Sequence, residues 1–156
     1  MRNEKQLARR EFLAAPGAGA ALGTRGAEPP EGDAIPRRPL GRTGVKVSAL
    51  GVGGHHLGDF KTVEEAIKFV HEAIDAGVDF FDNCWEYWDG RSEDWLGRPL
   101  RGRRDKVFLM TKVCTHGRGA ELAMKMLDES LRRLQTDHLD LWQVHGVGFD
   151  NDPELA

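Results

Sequence analysis

Val78-Asp79-Phe80-Phe81-Asp82, followed at once by Asn83-Cys84-Trp85-Glu86-Tyr87, is the stretch that decides the fold. A short apolar run that ends in a carboxylate and gives way to a polar loop reads as a β-strand that delivers Asp82 to its carboxyl end. Side chains alternate along a strand, so Val78, Phe80 and Asp82 share one face. The same layout returns twice. Val107 to Lys112 sets Phe108 and Met110 in line with Lys112, and Leu139 to His145 sets Leu139, Leu141 and Gln143 in line with His145. Three strands therefore end in ionisable side chains that point the same way as mainly apolar neighbours.

The segments between these strands carry the helical period. Thr62 with Glu65 three residues on forms a capping box; Val63, Ala66, Ile67, Val70, Ala73 and Ile74 follow as one apolar stripe, and Gly77 ends it. A shorter helix starts at Ser92-Glu93-Asp94 and carries Trp95, Leu96 and Leu100. Ala120 to Leu134 is a third, in which Leu122, Met126, Leu127, Ser130, Leu131 and Leu134 recur at helical spacing, so Met126 fills core. Upstream, Ala49 to Gly53 is the first strand of the series, and Pro39-Leu40, the turn Gly41 to Gly44 and Val45 to Val47 form a small hairpin before it. Strands alternating with helices build a parallel α/β sheet, and in a closed (β/α)8 barrel the polar residues of function gather at the carboxyl ends of the strands. The expectation is a (β/α)8 TIM barrel represented by a hairpin, four strands and three helices. Asp82, Lys112 and His145 then meet at one mouth, with Tyr87 on the loop after Asp82.

Composition excludes several classes. With 40% hydrophobic and 30% charged residues and a net charge of −3, the chain offers no electrostatic footprint for nucleic acid or for an anionic membrane. No run approaches the roughly 18 apolar residues of a membrane span. The two cysteines, Cys84 and Cys114, are too few and too far apart for a disulfide scaffold or a zinc ribbon. Each lies two residues past a strand-end residue, Asp82 and Lys112, and equal offsets on neighbouring strands predict Cα atoms roughly 5 Å apart. Loop residues seldom keep a strand's alternation, so two separate buried thiols are the preferred reading over a bond.

Residues 1–36 differ from the rest. Arg9-Arg10-Glu11-Phe12-Leu13 opens a weakly apolar run from Ala14 to Gly23, and a Pro-rich stretch around Pro29-Pro30 follows. That layout matches a twin-arginine export signal and linker, although Pro16 interrupts the run and no clean cleavage site follows. The expected division is residues 1–36 as signal and linker and residues 37–156 as the domain. Export to a periplasmic or other extracytoplasmic compartment follows if the signal operates, and cytoplasmic residence if it does not.

From Arg37 onward the chain resembles the aldo-keto reductases. The matching motifs are Pro39-Leu40-Gly41-Arg42-Thr43-Gly44, Leu50-Gly51-Val52-Gly53, Phe80-Phe81-Asp82-Asn83-Cys84-Trp85-Glu86-Tyr87, Ser92-Glu93 with Leu96-Gly97, Val107 to Lys112, and Ser130-Leu131-Arg132-Arg133-Leu134 with Leu139-Asp140-Leu141 ahead of His145. The resemblance implies a catalytic tetrad of Asp82, Tyr87, Lys112 and His145, with Tyr87, the chain's only tyrosine, as proton donor. It implies hydride from a nicotinamide cofactor, NADPH or NADH, lying against Gly53, Gly54 and Asp82, and a small carbonyl compound as substrate. The residue types suit that chemistry. A phenol delivers a proton to a developing alkoxide only when a nearby cation stabilises the phenolate, and Lys112 held by Asp82 is that cation, with His145 orienting the carbonyl oxygen.

Asn83-Cys84 stands where Thr-Ala is frequent in the family and Gly54-His55-His56 where a Thr and an aromatic residue are, changes expected to touch substrate selection and leave the tetrad alone. The family builds eight βα units and four are written here, so the chain is expected to be a truncated barrel, inactive by itself, with an open apolar face prone to self-association. Two other functions share parts of this residue pattern. A metal-dependent barrel hydrolase or isomerase would draw ligands from His55 or His56, Asp82, Glu86, His116 and His145, but adjacent histidines supply one ligand at most and no HxH or HxxxH spacing occurs, so no metal is expected. A non-catalytic cofactor-sensing or regulatory protein on the same fold is compatible with an intact tetrad. His71 and His138 read as surface residues.

Overall fold

The structure, a computed structural model, describes residues 34–114 and 119–146. Two short strands, β1 (Arg37–Pro39) and β2 (Lys46–Ser48), pair antiparallel as the expected hairpin. Strands β3 (Gly51–Gly53), β4 (Phe80–Asp82), β5 (Phe108–Cys114) and β6 (Leu141–His145) form a parallel sheet in that order. Helices α1 (Val63–Asp75), α2 (Arg91–Gly97) and α3 (Ala120–Leu134) alternate with them. Two 3-10 turns, Gly54–Asp59 and Arg104–Lys106, and a non-helical turn over Tyr87–Gly90 complete the connections. The parallel α/β arrangement read from the sequence is therefore present, with four strands and three helices among the described residues.

The strand limits differ from expectation for a physical reason. The Val78 amide donates to Ala73 and closes the end of α1, where Gly77 takes a left-handed φ of 93°, so Val78 has no amide left for the ladder. Asp79 and Asp140 divert the next backbone groups: Asp79 Oδ1 accepts from the Ser48 amide at 2.6 Å, and Asp140 Oδ2 accepts from the Leu109 amide at 2.8 Å. Asp79 also pairs with Arg37, which fastens the hairpin to the sheet at the end opposite the strand carboxyl termini. The Thr62 cap is as expected, its hydroxyl accepting from the Glu65 amide at 3.2 Å. The carboxylate of Glu65 reaches one residue further back than a capping box requires, to the Lys61 amide at 3.1 Å. His71, expected on the surface, is half-buried and hydrogen-bonds the Pro99 carbonyl at 3.1 Å.

Val52, Phe81 and Leu109 stand side by side across β3, β4 and β5. With Leu57, Val70, Ile74, Leu96 and Leu134 they make the core between the sheet and its helices. The adjacent row on the other face, with Phe80 beside Phe108, faces inward in a barrel. Their rings are 5.7 Å apart and only partly covered.

Register sets the levels of the functional side chains. Asp82 is level with Met110, Lys112 with Gln143, and Cys114 with His145, so each strand carries its ionisable residue two positions beyond that of its neighbour. Such a stepwise stagger is the shear that a barrel needs to close. It also corrects the expected closeness of the two cysteines: two residues past Asp82 is the level of Lys112, so Cys84 and Cys114 lie at different levels, and, as the preferred reading had it, they are two separate buried thiols with no disulfide between them.

Candidate active site

Lys112 is the deepest group of the cluster. Because its Cα stands beyond the level of Asp82, its side chain leans back and places Nζ against Asp82 Oδ1, 2.9 Å from the Asn83 carbonyl and 3.4 Å from the Tyr87 hydroxyl. Burial pushes the ammonium toward losing its proton, but the hydrogen bond and charge of Asp82, with Tyr87, outweigh it and hold Lys112 above the usual 10.5 of a lysine. Lys112 is a fixed cation across the neutral range. Its Nζ lies 5.1 Å from the centre of the Tyr87 ring, and the rings of His55 and His145 meet that ring edge-on at 5.2 and 5.8 Å. All four tetrad positions expected from the sequence are thus brought together.

Tyr87 is aimed by a strained turn. Trp88 and Asp89 have φ of 54° and 53° and Gly90 of 87°, three left-handed residues in succession that swing the chain straight into α2. Each non-glycine residue there costs about 1–2 kcal/mol, so the surroundings must impose the shape. They do so through Trp88, whose indole N–H donates to the His55 carbonyl at 2.8 Å and whose ring carries the Arg91 guanidinium at 4.7 Å. From behind, Arg133 donates to the Trp85 carbonyl at 3.0 Å and pairs with Glu93 at 3.4 Å, while Glu93 accepts from the Thr111 hydroxyl at 2.6 Å. Glu93 is fully buried, and burial raises its pKa despite Thr111 and Arg133 working against that rise. These two residues lie inside motifs already quoted, Ser92-Glu93 and Ser130 to Leu134, yet a role behind the tyrosine loop is not visible from them without the fold.

His145 contacts residues that the sequence named separately without joining them around it. Its Nδ1 is 2.7 Å from Glu86 Oε1 and 3.2 Å from Cys84 Sγ, and Cys114 Sγ donates to Glu86 Oε2 at 3.0 Å. Burial pushes the Cys84 thiol up to about 11, so it is a protonated thiol at neutral pH. The signal that would have found this group is the register, which sets Cys114 beside His145 and Cys84 beside Lys112. It also revises the reading of Asn83-Cys84 as a matter of substrate choice. Asn83 is fully buried, donates to the Ser92 carbonyl at 3.0 Å, and gives its own carbonyl to Lys112, so both residues touch the tetrad itself.

The two glycines divide. A side chain at Gly54 would lie 2.5 Å from Asn83, which explains that glycine by packing, whereas one at Gly53 would meet nothing within 4 Å and leaves the mouth open beside Asp82, its register partner. Of the metal set weighed from the sequence, only Glu86 and His145 come together among the described residues: Asp82 is taken by Lys112, His55 and His56 are exposed beside one another, and His116 lies outside the described residues. Arg9 and Arg10 also lie outside them.

A parallel α/β sheet of barrel shear that presents an aspartate, a tyrosine, a lysine and a histidine beside its strand ends defines a protein of the (β/α)8 class with its chemistry at the mouth. The chain belongs to the aldo/keto reductase family, whose model matches residues 49–156. It is 39% identical over 132 residues to L-galactose dehydrogenase of Arabidopsis thaliana, a match covering 78% of this chain and 41% of that one. It is 37% identical over 117 residues to a probable voltage-gated potassium channel subunit beta of Oryza sativa subsp. japonica, covering 68% and 36%. Among solved structures, an aldo-keto reductase from Klebsiella pneumoniae in complex with NADPH superposes with a TM-score of 0.63 at 33% identity, covering 68% of this chain and 38% of that one. The chain spans about two-fifths of the length of the curated relatives it matches.

Proposed function

We propose that this domain reduces aldehydes or ketones with a nicotinamide cofactor, NADPH or NADH. The observation that carries the reading is the contact of the Tyr87 hydroxyl with a lysine that Asp82 holds cationic, 3.4 Å from Nζ to oxygen. When bound, the cofactor supplies hydride to the carbonyl carbon. Tyr87 then gives its proton to the carbonyl oxygen, Lys112 stabilises the phenolate left behind, and Asp82 keeps the ammonium in place. To His145, whose ring is edge-on to the phenol, we assign hydrogen bonding to the same oxygen. The residues fit the cofactor at one point above all, the open space over Gly53 next to Asp82. The NADPH complex of the Klebsiella relative supports that choice.

The similarity to the potassium channel subunit favours a second reading, a cofactor-sensing regulatory protein on the same fold. The first 36 residues we assign to twin-arginine export, and the 156-residue chain by itself to an inactive state, because the inward row of Phe80, Phe108 and Leu141 lacks a covering half among the described residues and invites self-association. The deciding experiment follows NADPH oxidation with a panel of aldehydes, using the chain alone and the chain completed to eight βα units. Turnover only in the completed barrel is expected. Tight NADPH binding without turnover of any aldehyde would transfer the assignment to the regulatory reading, and a monodisperse dimer of the chain alone that binds NADPH at micromolar concentration would overturn the inactive assignment. Lysine substitution of Arg9 and Arg10 should trap the protein inside the cell; unchanged export would remove the signal.

A further inference from the structure

The thiol of Cys84, the carboxylate of Glu86 and Nδ1 of His145 converge within 4.8 Å of one another, the first two on the segment that follows β4 and the third at the carboxyl end of β6, and their chemistry is that of a metal-ligand set. We propose that these three side chains bind one zinc-class divalent ion, leaving its fourth position open. Sulfur, imidazole nitrogen and carboxylate oxygen are the donors that zinc selects, and three protein ligands with a free position is a familiar arrangement for it. The distances suit entry of an ion. A tetrahedral zinc with bonds of about 2.0–2.3 Å needs donor separations of about 3.3–3.6 Å. The present contacts are 2.7 Å from Glu86 to His145 and 3.2 Å from Cys84 to His145, with all three donors within 4.8 Å of one another, so rotations about side-chain bonds that widen the two short contacts bring the set to that range.

The surroundings are built for the same purpose. Cys114 Sγ, 3.0 Å from Glu86 Oε2, orients the carboxylate through the oxygen that does not face His145, as an outer partner of a metal ligand does. Cys84 is fully buried, while the side chains of His145 and Glu86 are 31% and 36% exposed, so the ion enters from the mouth and meets the thiol last. Ion binding displaces the thiol proton to solvent, with no change of oxidation state, and so strengthens with rising pH. An ion there would also fix the His145 ring; that consequence rests on the reductase reading, whereas the binding itself does not.

The test uses the 156-residue chain, reduced, stripped with a chelator and titrated with cobalt(II) chloride, whose thiolate complexes absorb in the near ultraviolet and whose tetrahedral complexes absorb in the visible. Cys84 and Cys114 are the only cysteines, so a thiolate band reports on them alone. One equivalent of cobalt should saturate the band, and one equivalent of zinc chloride should abolish it. Cys84→Ser should remove the band, Cys114→Ser should retain it, and Glu86→Gln should weaken binding at least about tenfold. No saturable band in the parent chain, or a band that survives Cys84→Ser, overturns the proposal. If Cys84→Ser fails to fold by circular dichroism, Glu86→Gln on its partly exposed side chain decides alone, and unchanged affinity overturns it.

Discussion

Phe80 and Phe81 are consecutive residues of one strand, and they belong to different proteins in the energetic sense. Phe81 is fully buried against helices and the neighbouring Val52 and Leu109, whereas Phe80 points inward and keeps part of its ring in solvent beside Phe108. The helix side of the sheet holds the fold together. The inward side carries Asp82, Lys112, Cys84, Cys114 and His145, one strand-step further along. One face therefore selects for volume and the other for chemistry, and substitutions should sort by face more than by residue type.

The largest effect should come from breaking the helix side. Phe81→Ala removes a fully enclosed ring and should cost about 3–5 kcal/mol of stability, while Phe80→Ala, with a partly solvated ring, should cost about 1–2 kcal/mol and reduce self-association. Urea unfolding of the two variants, with mass in solution measured alongside, checks the contrast. Equal losses would erase the distinction between the faces.

At the residues of the expected tetrad the loss is of rate, with stability nearly unchanged. In a completed barrel, Tyr87→Phe should lower carbonyl reduction by about a hundredfold or more while NADPH still binds and the unfolding midpoint stays put. Lys112→Met should act similarly by removing the cation at the phenol. The kinetic pH profile should show no loss of the Lys112 proton below about 10.5, since Asp82 holds that group above its usual value. Near-normal turnover in Tyr87→Phe would take the proton-donor role away from it.

The helix side was the more legible from sequence. The stripe from Val63 to Ile74 and the repeat from Ala120 to Leu134 gave helices α1 and α3 almost to the residue, because burial on one face leaves a period that a chain cannot hide. The meeting of Asp82, Tyr87, Lys112 and His145 was legible too, through the motifs that carry them. What stayed hidden depends on pairing between strands. The two-residue stagger that separates Cys84 from Cys114 and brings Glu86 to His145 is a property of neighbouring strands, and no single strand's pattern records it. The left-handed backbone at Trp88 was equally invisible: Asp89-Gly90 is a turn signal, but a tryptophan gives no sign of a positive φ.

Glu93 links the two faces, because it is a buried charge on the helix side that supports the tyrosine loop through Arg133. Its folded-state pKa is raised, by burial above all, over an ordinary 4.5. Between those two values the folded protein keeps a proton that the unfolded chain has released. Stability from this group is therefore greatest at and below about 4.5 and declines as pH rises toward the folded value. Glu93→Gln removes that decline and keeps an acceptor for Thr111. The difference in unfolding free energy, variant minus parent, should thus grow more favourable to the variant as pH rises above 4.5. A flat or falling difference across urea titrations at several pH values would count against a strained buried charge.

The smallest effect tests whether left-handed backbone on the helix side is tolerated strain or a device that aims a side chain, the role proposed for it beside Tyr87. Gln135 ends α3 with a φ of 56°, a conformation that costs a side-chain-bearing residue about 1–2 kcal/mol and glycine little. Against that stands its exposed hydrogen bond from Arg101 at 2.5 Å and the extra freedom glycine brings to the unfolded chain, worth about 0.5–1 kcal/mol. An exposed side-chain hydrogen bond contributes little once water competes for both partners. Gln135→Gly should therefore stabilise the fold by about 0.5 kcal/mol, seen as a small rise in the urea midpoint with an unchanged slope, and leave turnover of a completed barrel untouched. Destabilisation instead would show that the Arg101 contact holds α3 against the loop before β5 and outweighs the strain it sits on.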